Sequence, residues 1–385
     1  MARVFDDLEL GYLKEVLGSG KLGWAQGGMV TRFEEAFARL VGSQYAIGRN
    51  ANMTALAQAV SVSGAGTGTE VICDPLVHFG GLAVLYFNAV PRFADVRRGT
   101  YNIDPDSVRA NITPLTRALI VTNMWGLCAE LDELRRICDE HGVFMIEDCA
   151  HVIGSYWRGK HAGTYGDLGV FSFQQGKHLP TGDGGMLVTD RKELYDKIYG
   201  EWAFSGESPA FLTLNYRMNE LTAAVGLGQV QRVMGYVERY TRNLAVMNQA
   251  IAGCEWIGPR EVPDGARQCG YIWAATWEGD RQGLDYGRFK ELCKELGLPL
   301  RFGFNQTPAY SYDIFRGSTA YGVPDCPVRC PFYTARSDYR YRPGLCPVAE
   351  ELMPRLMTTG LVEVPDDEVA RRAEKLHRAI RQMER

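Results

Sequence analysis

The stretch from Gly166 to Gly185, GDLGVFSFQQGKHLPTGDGG, constrains the fold of this chain more than any other. It begins as an apolar run that predicts a buried strand, and a second apolar run, residues 186–188, follows it. Between the runs, a segment rich in Gly, Pro and Asp predicts a loop. That loop contains a single lysine, Lys177. A lysine normally points into solvent from a helix, so its place between two core strands is unusual.

A lysine in a protected loop can lose part of its ammonium character and act as a nucleophile or form a Schiff base. The alternative is a surface lysine in a polar turn. The local sequence alone leaves both interpretations open.

Strands and helices alternate through the first half of the chain. This order predicts a mainly parallel sheet with helices on both faces. Ligands of such sheets bind at the carboxyl ends of the strands. Phe79, Asp148 and Lys177 would all lie at or just after such ends. The predicted strands are residues 70–75, 90–96, 118–122 and 143–148.

Two helix starts are predicted near the N-terminus. Thr31 and Glu34 have the spacing of a capping box at the start of an amphipathic helix. A strand, a polar turn and a helix start then follow one another over residues 45–60. The unpaired amides of that second helix start would suit a phosphate. A plain N-cap by Asn50 or Asn52 is the alternative.

The pattern changes to shorter strands and helices after a long helical stretch that ends near residue 253. We therefore expect a large domain of residues 1–250 and a smaller C-terminal domain of residues 251–385.

Composition excludes several classes of function. The net charge of −4 over 385 residues provides no basic field for nucleic acid or an anionic membrane. The first residues are too acidic for a signal peptide, and no apolar run is long enough to span a membrane. Ten scattered cysteines suggest reduced thiols in a cytoplasm. Cys326 and Cys330 lack a second pair, so no metal site is expected.

Four of these features together match what pyridoxal 5'-phosphate (PLP) requires. Lys177 can form a Schiff base with its aldehyde, and the carboxylate of Asp148 can keep the pyridine nitrogen protonated. Phe79 can stack on the ring. The amides at Asn52 and Met53 can bind the phosphate.

The chain resembles the DegT/DnrJ/StrS family of PLP-dependent aminotransferases over almost its whole length. The resemblance implies the type I aminotransferase fold, with a mainly parallel central sheet, helices on both faces and a smaller C-terminal α+β domain. It is strongest in the segments YNIDP (101–105), EDCAHVIGS (147–155), GDLGVFSFQQGK (166–177) and TGDGGM (181–186).

The resemblance also implies roles for particular residues. Lys177 is the Schiff-base lysine and Asp148 binds the pyridine nitrogen, so these two are the catalytic pair. The remaining cofactor-binding residues are Asn52 and Met53 at the phosphate, Phe79 on the ring, His151 near the ring hydroxyl, Ser172 at the phosphate, and Asn215, which reaches the phosphate of the other subunit of a homodimer.

The chain departs from the family pattern at three places. Asn52 and Met53 replace a Gly-Thr pair, which removes a hydroxyl but keeps the backbone amides. Asn123 replaces a histidine and His78 replaces a common threonine, and both changes can reshape the acceptor pocket. The candidate substrate contacts are His78, Asn123, Trp125 and His178, each of which has a purely structural role as its alternative.

The leading functional interpretation is amino transfer from glutamate or glutamine to a keto sugar or keto cyclitol, in amino-sugar or aminoglycoside-type biosynthesis. A second is a PLP-dependent lyase or dehydratase, including the 3-amino-5-hydroxybenzoate synthases. A third is a non-catalytic regulatory protein, against which the presence of both Lys177 and Asp148 argues. The motifs conflict on the acceptor and do not select one.

Overall fold

The computed structural model describes residues 3–200, 215–317, 319–322, 326–335 and 339–384. No helix in these ranges is long and apolar enough to cross a membrane. The α-helices are α1 (Asp7–Ser19), α2 (Met29–Val41), α3 (Asn52–Val62), α4 (Phe79–Leu85), α5 (Pro105–Asn111), α6 (Leu131–His141), α7 (Lys192–Gly200), α8 (Glu220–Val230), α9 (Val233–Gln249), α10 (Tyr286–Glu295), α11 (Asp313–Arg316), α12 (Pro347–Leu352) and α13 (Asp366–Met383).

Within the described ranges, the strands form three sheets of seven, four and three strands. They are β1 (Tyr45–Arg49), β2 (Glu70–Cys73), β3 (Val90–Phe93), β4 (Thr116–Thr122), β5 (Phe144–Asp148), β6 (Tyr156–Trp157), β7 (Lys160–His161), β8 (Leu168–Ser172), β9 (Gly185–Thr189), β10 (Ile257–Pro259), β11 (Ala266–Arg267), β12 (Ile272–Trp277), β13 (Arg301–Phe302) and β14 (Leu356–Gly360).

The seven-stranded sheet has the order β1-β9-β8-β5-β4-β2-β3. Strands β8, β5, β4, β2 and β3 pair in parallel. β9 pairs antiparallel with both β1 and β8, so it alone in this sheet runs against the others. The predicted mainly parallel sheet is confirmed. Its one antiparallel strand, β9, is joined to β8 by the connection that contains Lys177.

Helices cover both faces of this sheet, as predicted. Neighbouring residues of one strand enter different cores: Met145 of β5 belongs to a core with α2, α6 and α8, whereas Ile146 belongs to a core with α3, α4 and α7. Strands buried on both sides read as continuous apolar runs rather than alternating ones. This is why the strands of the first half are evident in the sequence.

The four-stranded sheet, β10-β12-β14-β13, has a separate core with α9, α10 and α13. Described residues between Ala309 and Leu356, among them Phe315 and Tyr341, nevertheless contribute side chains to the core on the α3 face of the large sheet. The C-terminal part of the chain therefore packs on both sheets, and the domain boundary near residue 250 stays a prediction.

The predicted capping box of α2 is wrong. The helix begins at Met29 after Gly28, and neither Thr31 nor Glu34 caps it. The Glu220 carboxylate accepts from the Met29 amide instead. Glu34 is instead buried, where one carboxyl oxygen accepts from the Gly48 amide at 2.7 Å and the other from the Tyr199 hydroxyl at 2.9 Å. Burial raises the pKa of this carboxyl to about 7. Glu34 therefore forms tertiary hydrogen bonds instead of a capping hydrogen bond at the helix terminus.

Replacing Glu34 with Gln should change how stability depends on pH. The folded chain binds a proton that the unfolded chain loses at its ordinary pKa of 4.5, so Glu34 lowers stability progressively between that pH and about 7. We expect Glu34→Gln to gain stability relative to the natural chain across this window, by up to about 3 kcal/mol. Thermal melting from pH 4.5 to 8 measures the difference. The matched control is Glu35→Gln, an exposed neighbour, and a difference that stays constant with pH would contradict the account.

Candidate active site

The lysine loop, residues 173–184, connects β8 to β9 and is closed by backbone hydrogen bonds. The Phe173 amide donates to the Gly184 carbonyl at 2.9 Å, and the Gln175 amide donates to the Gly182 carbonyl at 2.8 Å. The Lys177 amide donates to the Gln174 carbonyl at 2.9 Å. These bonds place Lys177 at the carboxyl end of β8, as the sequence predicts.

The Lys177 amine is largely withdrawn from water. Its Nζ donates to the Tyr271 hydroxyl at 3.0 Å and lies 5.2 Å from the centroid of that ring. Burial lowers the pKa of the amine to about 8, while the nearby charge of Asp148 opposes the decrease. A lysine with such a pKa is partly neutral near physiological pH, which a nucleophile requires.

Asp148 ends β5, the strand next to β8. The side chain is buried, and its Oδ1 accepts from the Ala150 amide at 3.1 Å. Burial raises the pKa of this carboxyl, and the Ala150 amide, the Lys177 cation and the Asn52 side chain oppose the increase. The structure thus brings Asp148, Lys177 and Asn52 into one electrostatic unit.

Two neutral histidines flank the amine. His151 stacks on Tyr271 with ring centroids 4.6 Å apart and an interplanar angle of 19°. His178 is buried, with Nε2 2.9 Å from the Gly270 carbonyl oxygen. Burial lowers the pKa of His151 well below its ordinary value and that of His178 to about 4. Because its ring nitrogen is bonded to the backbone, His178 is placed to support Tyr271 more than to contact a substrate.

Two helix starts lie at the same edge of the sheet. α3 begins at Asn52 and Met53, and α4 begins at Phe79, directly after His78. The Phe79 ring is 43% exposed and lies 4.3 Å from the His78 ring. Gly185 allows β9 to approach the first of these helices, since a Cβ there would lie 2.6 Å from the Ala51 carbonyl group.

This edge carries unsatisfied polar atoms that fit a polar cofactor. Within the described ranges, three buried nitrogens near the amine or the helix starts have no well-formed hydrogen bond: Asn52 Nδ2, His78 Nδ1 and His151 Nδ1. Buried polar groups ordinarily have partners, so their clustering points to a missing ligand. The residues present therefore fit PLP.

Ser172 and Asn215 lie beside this cluster. Ser172 ends β8 and is buried, with its Oγ accepting from the Gln174 amide at 3.4 Å. Asn215 is exposed, and its backbone carbonyl accepts from Asn50 Nδ2 at 3.0 Å, two residues before the start of α3.

The structure does not support substrate contacts for Asn123 and Trp125. Asn123 is fully buried, where its Oδ1 accepts from the Ala129 amide at 2.9 Å and its Nδ2 donates to Glu147 at 3.4 Å. Trp125 is also buried, edge-on to Phe304 with ring centroids 4.7 Å apart. Both side chains are therefore buried under the surface of the site. Of the four candidates, His78 is the one that lies at the open edge of the site.

Sequence reasoning missed Tyr271 and Asp74. Tyr271 comes 94 positions after Lys177, and no local pattern connects the two. Asp74 follows β2 as Asp148 ends β5, so the same signal could have identified it. Burial raises the pKa of Asp74 to about 6, and the charge of Asp148 adds to the increase.

A cleft of about 350 Å³ adjoins the lysine loop. Gly176 and Tyr271 line it on one side, and the four-stranded sheet lines it on the other. Its polar residues are Arg301, Asn305, Thr358, Thr359 and Glu363. The cleft gives a polar substrate room beside the lysine loop and Tyr271.

Comparison with known proteins agrees with this geometry. A sequence model of the DegT/DnrJ/EryC1/StrS aminotransferase family matches residues 5–336. The spore coat polysaccharide biosynthesis protein SpsC of Bacillus subtilis is 36% identical over 83% of this chain and 87% of its own. The GDP-perosamine synthase of Vibrio cholerae is 32% identical over 64% of this chain and 69% of its own.

The crystal structure of a 3-amino-5-hydroxybenzoic acid synthase is also similar. It superposes with a TM-score of 0.82 at 26% sequence identity, and the match covers 99% of this chain and 98% of that one. The similarity therefore extends over the seven-stranded sheet, the lysine loop and the C-terminal sheet.

The coupling between Asp148 and Lys177 predicts the effect of Asp148→Asn. Removing the carboxylate removes the charge that stabilises the ammonium, so the pKa of Lys177 should fall below about 8. Acetylation of Lys177 by acetic anhydride as a function of pH, followed by mass spectrometry on protein freed of small molecules, measures this pKa. Asp183→Asn, an exposed change in the same loop, should leave it unchanged. An equal or higher midpoint in Asp148→Asn would show that the two groups are not coupled.

Proposed function

This chain belongs to the DegT/DnrJ/EryC1/StrS aminotransferase family, and we propose that it is a PLP-dependent enzyme that moves an amino group from glutamate or glutamine to a keto sugar. The single observation that carries this proposal is the amine of Lys177, held beside Asp148 and Tyr271 and next to a polar cleft. When bound, PLP supplies an electron sink that allows an amino group to leave one carbon skeleton and join another.

The residues of this chain have distinct parts in that chemistry. Lys177 would hold the cofactor, and its amine, whose pKa is about 8 when it is free, can take up and return a proton near neutral pH. Asp148 would bind the pyridine nitrogen and keep it protonated. Tyr271 remains a neutral phenol because burial raises its pKa, so it can hydrogen-bond the amine without competing for its proton.

The cofactor pocket is completed by the helix starts. Amides at Asn52 and Met53, with Ser172, would bind the phosphate, and the positive end of the α3 dipole would favour the anion. Phe79 would stack on the ring, and His151 would bind near the ring hydroxyl. These assignments are supported by the shared edge of the sheet and by the unsatisfied nitrogens of Asn52 and His151.

We propose that the enzyme is a homodimer with shared sites. Asn215 and residues 18–28, which are the end of α1 and the segment that joins it to α2, are expected to cross to the other subunit. Their support is the exposure of Asn215 beside α3 and the open face of Phe79. A cytoplasmic location, supported by ten free cysteines, and a role in amino-sugar or secondary-metabolite biosynthesis belong to the same proposal.

A half-reaction separates amino transfer from lyase chemistry. Glutamate or glutamine, added without acceptor, should yield about one equivalent of keto acid per site and shift the cofactor absorption band, because donor and acceptor use one site in turn. A suitable keto sugar should then restore the band, and Lys177→Ala should show neither change. Loss of water from the ketone in the absence of any donor would contradict amino transfer and support a lyase.

The cleft favours an acceptor that carries a phosphate. Within the described residues, the side chain of the exposed Arg301 on β13 has no hydrogen-bond or ion-pair partner, although it lines the same cleft as Tyr271. A diphosphate suits a guanidinium because both can share paired hydrogen bonds. The name of the Vibrio relative specifies a GDP-linked product, so we propose a nucleotide-linked keto sugar rather than a free cyclitol.

Arg301→Gln should weaken nucleotide binding selectively. Loss of a charged hydrogen bond costs about 1.5–3 kcal/mol, which corresponds to roughly 10- to 100-fold in affinity. Calorimetry with GDP and dTDP measures the effect on the PLP-loaded enzyme, and Arg288→Gln, which removes an exposed arginine of α10, is the matched control. If neither nucleotide binds the natural chain, or if Arg301→Gln binds them equally well, the nucleotide-linked acceptor is wrong and a cyclitol is favoured.

A further inference from the structure

Arg3 connects three distant parts of the chain at the lysine loop. Its side chain is 1% exposed, although it precedes the first helix. Nη1 donates to the Gln175 carbonyl at 2.6 Å and to Glu363 Oε1 at 2.9 Å, and Nη2 donates to the Lys177 carbonyl. One buried guanidinium therefore bonds the backbone on both sides of Gly176.

These bonds restrain a part of the loop that has few other restraints. Residues 174–176 are exposed, and the loop's own hydrogen bonds involve the amides of Gln175, Gly176 and Lys177 rather than the carbonyls of residues 175 and 177. A planar guanidinium with several donors suits two carbonyls that lie close together. Arg3 thus satisfies acceptors that the loop itself leaves open.

Glu363 fixes the other side of the guanidinium. It follows β14 with a φ of 63°, a left-handed conformation that is uncommon for a residue with a side chain. Glu363 also lines the cleft together with Gly176. The Arg3–Glu363 ion pair therefore ties the lysine loop to the wall of the substrate cleft.

We propose that Arg3 is a positioning residue for the reactive lysine: by holding the backbone at Gln175 and Lys177 against Glu363, it keeps the Lys177 amine buried against Tyr271. The inference rests on the proposed role of Lys177 as the residue that carries PLP. Arg3 itself touches neither the amine nor the cleft, and it acts through the loop.

Burial is the main cause of the low pKa of Lys177, so a loosened loop should raise that pKa. The charged and titratable groups around the amine in the described residues include Asp148 of β5, His151 after it, His178 of the lysine loop and Tyr271 before β12. The charge of Arg3 also acts on His178 and Tyr271, and Arg3→Lys retains that charge. Both histidines are neutral near pH 8, since burial lowers their pKa values. A change near that pH therefore reports on the amine.

The test measures the pKa of Lys177 by its acetylation as a function of pH, on the full chain after removal of cofactor with hydroxylamine. We expect Arg3→Gln to raise the midpoint by about one unit or more toward the ordinary value of lysine. Arg3→Lys, which keeps the charge but has a single donor group, should give a smaller increase. Arg39→Gln, an exposed change on α2, should leave the midpoint unchanged.

Glu363→Gln provides a second variant that keeps Arg3 in place. It should raise the midpoint by less than Arg3→Gln, and it decides the question alone if Arg3→Gln does not fold, as judged by circular dichroism. An acetylation midpoint equal to that of the natural chain in every folded variant would overturn the proposal. Because the assay uses cofactor-free protein, it reports on how Arg3 holds the lysine loop even if Lys177 proves not to carry PLP.

Discussion

The removal of one ammonium group from water is the constraint around which the active site is built. Burying the Lys177 cation is unfavourable, so the site stabilises its neutral form and lowers the pKa to about 8. Asp148 limits this effect with its charge, and Tyr271 gives the amine a hydrogen bond at 3.0 Å. Without these two partners a buried lysine would be costly, and without burial it would be an ordinary surface cation.

The sheet topology explains how these groups meet. Asp148 and the starts of α3 and α4 lie at one edge of the sheet because each lies at or after the end of a parallel strand. The antiparallel strand β9 pairs with β8, and the loop between these two strands contains Lys177. The four-stranded sheet then closes the site from the other side through Tyr271 and the cleft residues. The chemistry of the site thus depends on contacts between segments far apart in the chain. The seven-stranded sheet by itself would lack Tyr271 and the cleft residues.

Much of the fold and part of the site could be predicted from sequence because their signals are local. Apolar runs buried on both faces predict strands, and an acid or a lysine after such a run stands out, as Asp148 and Lys177 do. Contacts across the chain have no such signal, which is why Tyr271 and Arg3 were missed. The capping pattern predicted the wrong role for Glu34, because tertiary burial gave its carboxyl group other hydrogen-bond partners. Burial also gives Asn123 partners in the protein, which its motif position does not indicate.

The central claim is that Lys177 carries the cofactor, and reductive trapping tests it most directly. Borohydride treatment of the PLP-loaded enzyme, followed by proteolysis and mass spectrometry, locates the lysine to which the cofactor becomes irreversibly attached. We expect one pyridoxyl group, on the peptide that contains Lys177, and none in Lys177→Ala at the same PLP concentration. Attachment to a different lysine in the natural chain, with Lys177 unmodified, would contradict it.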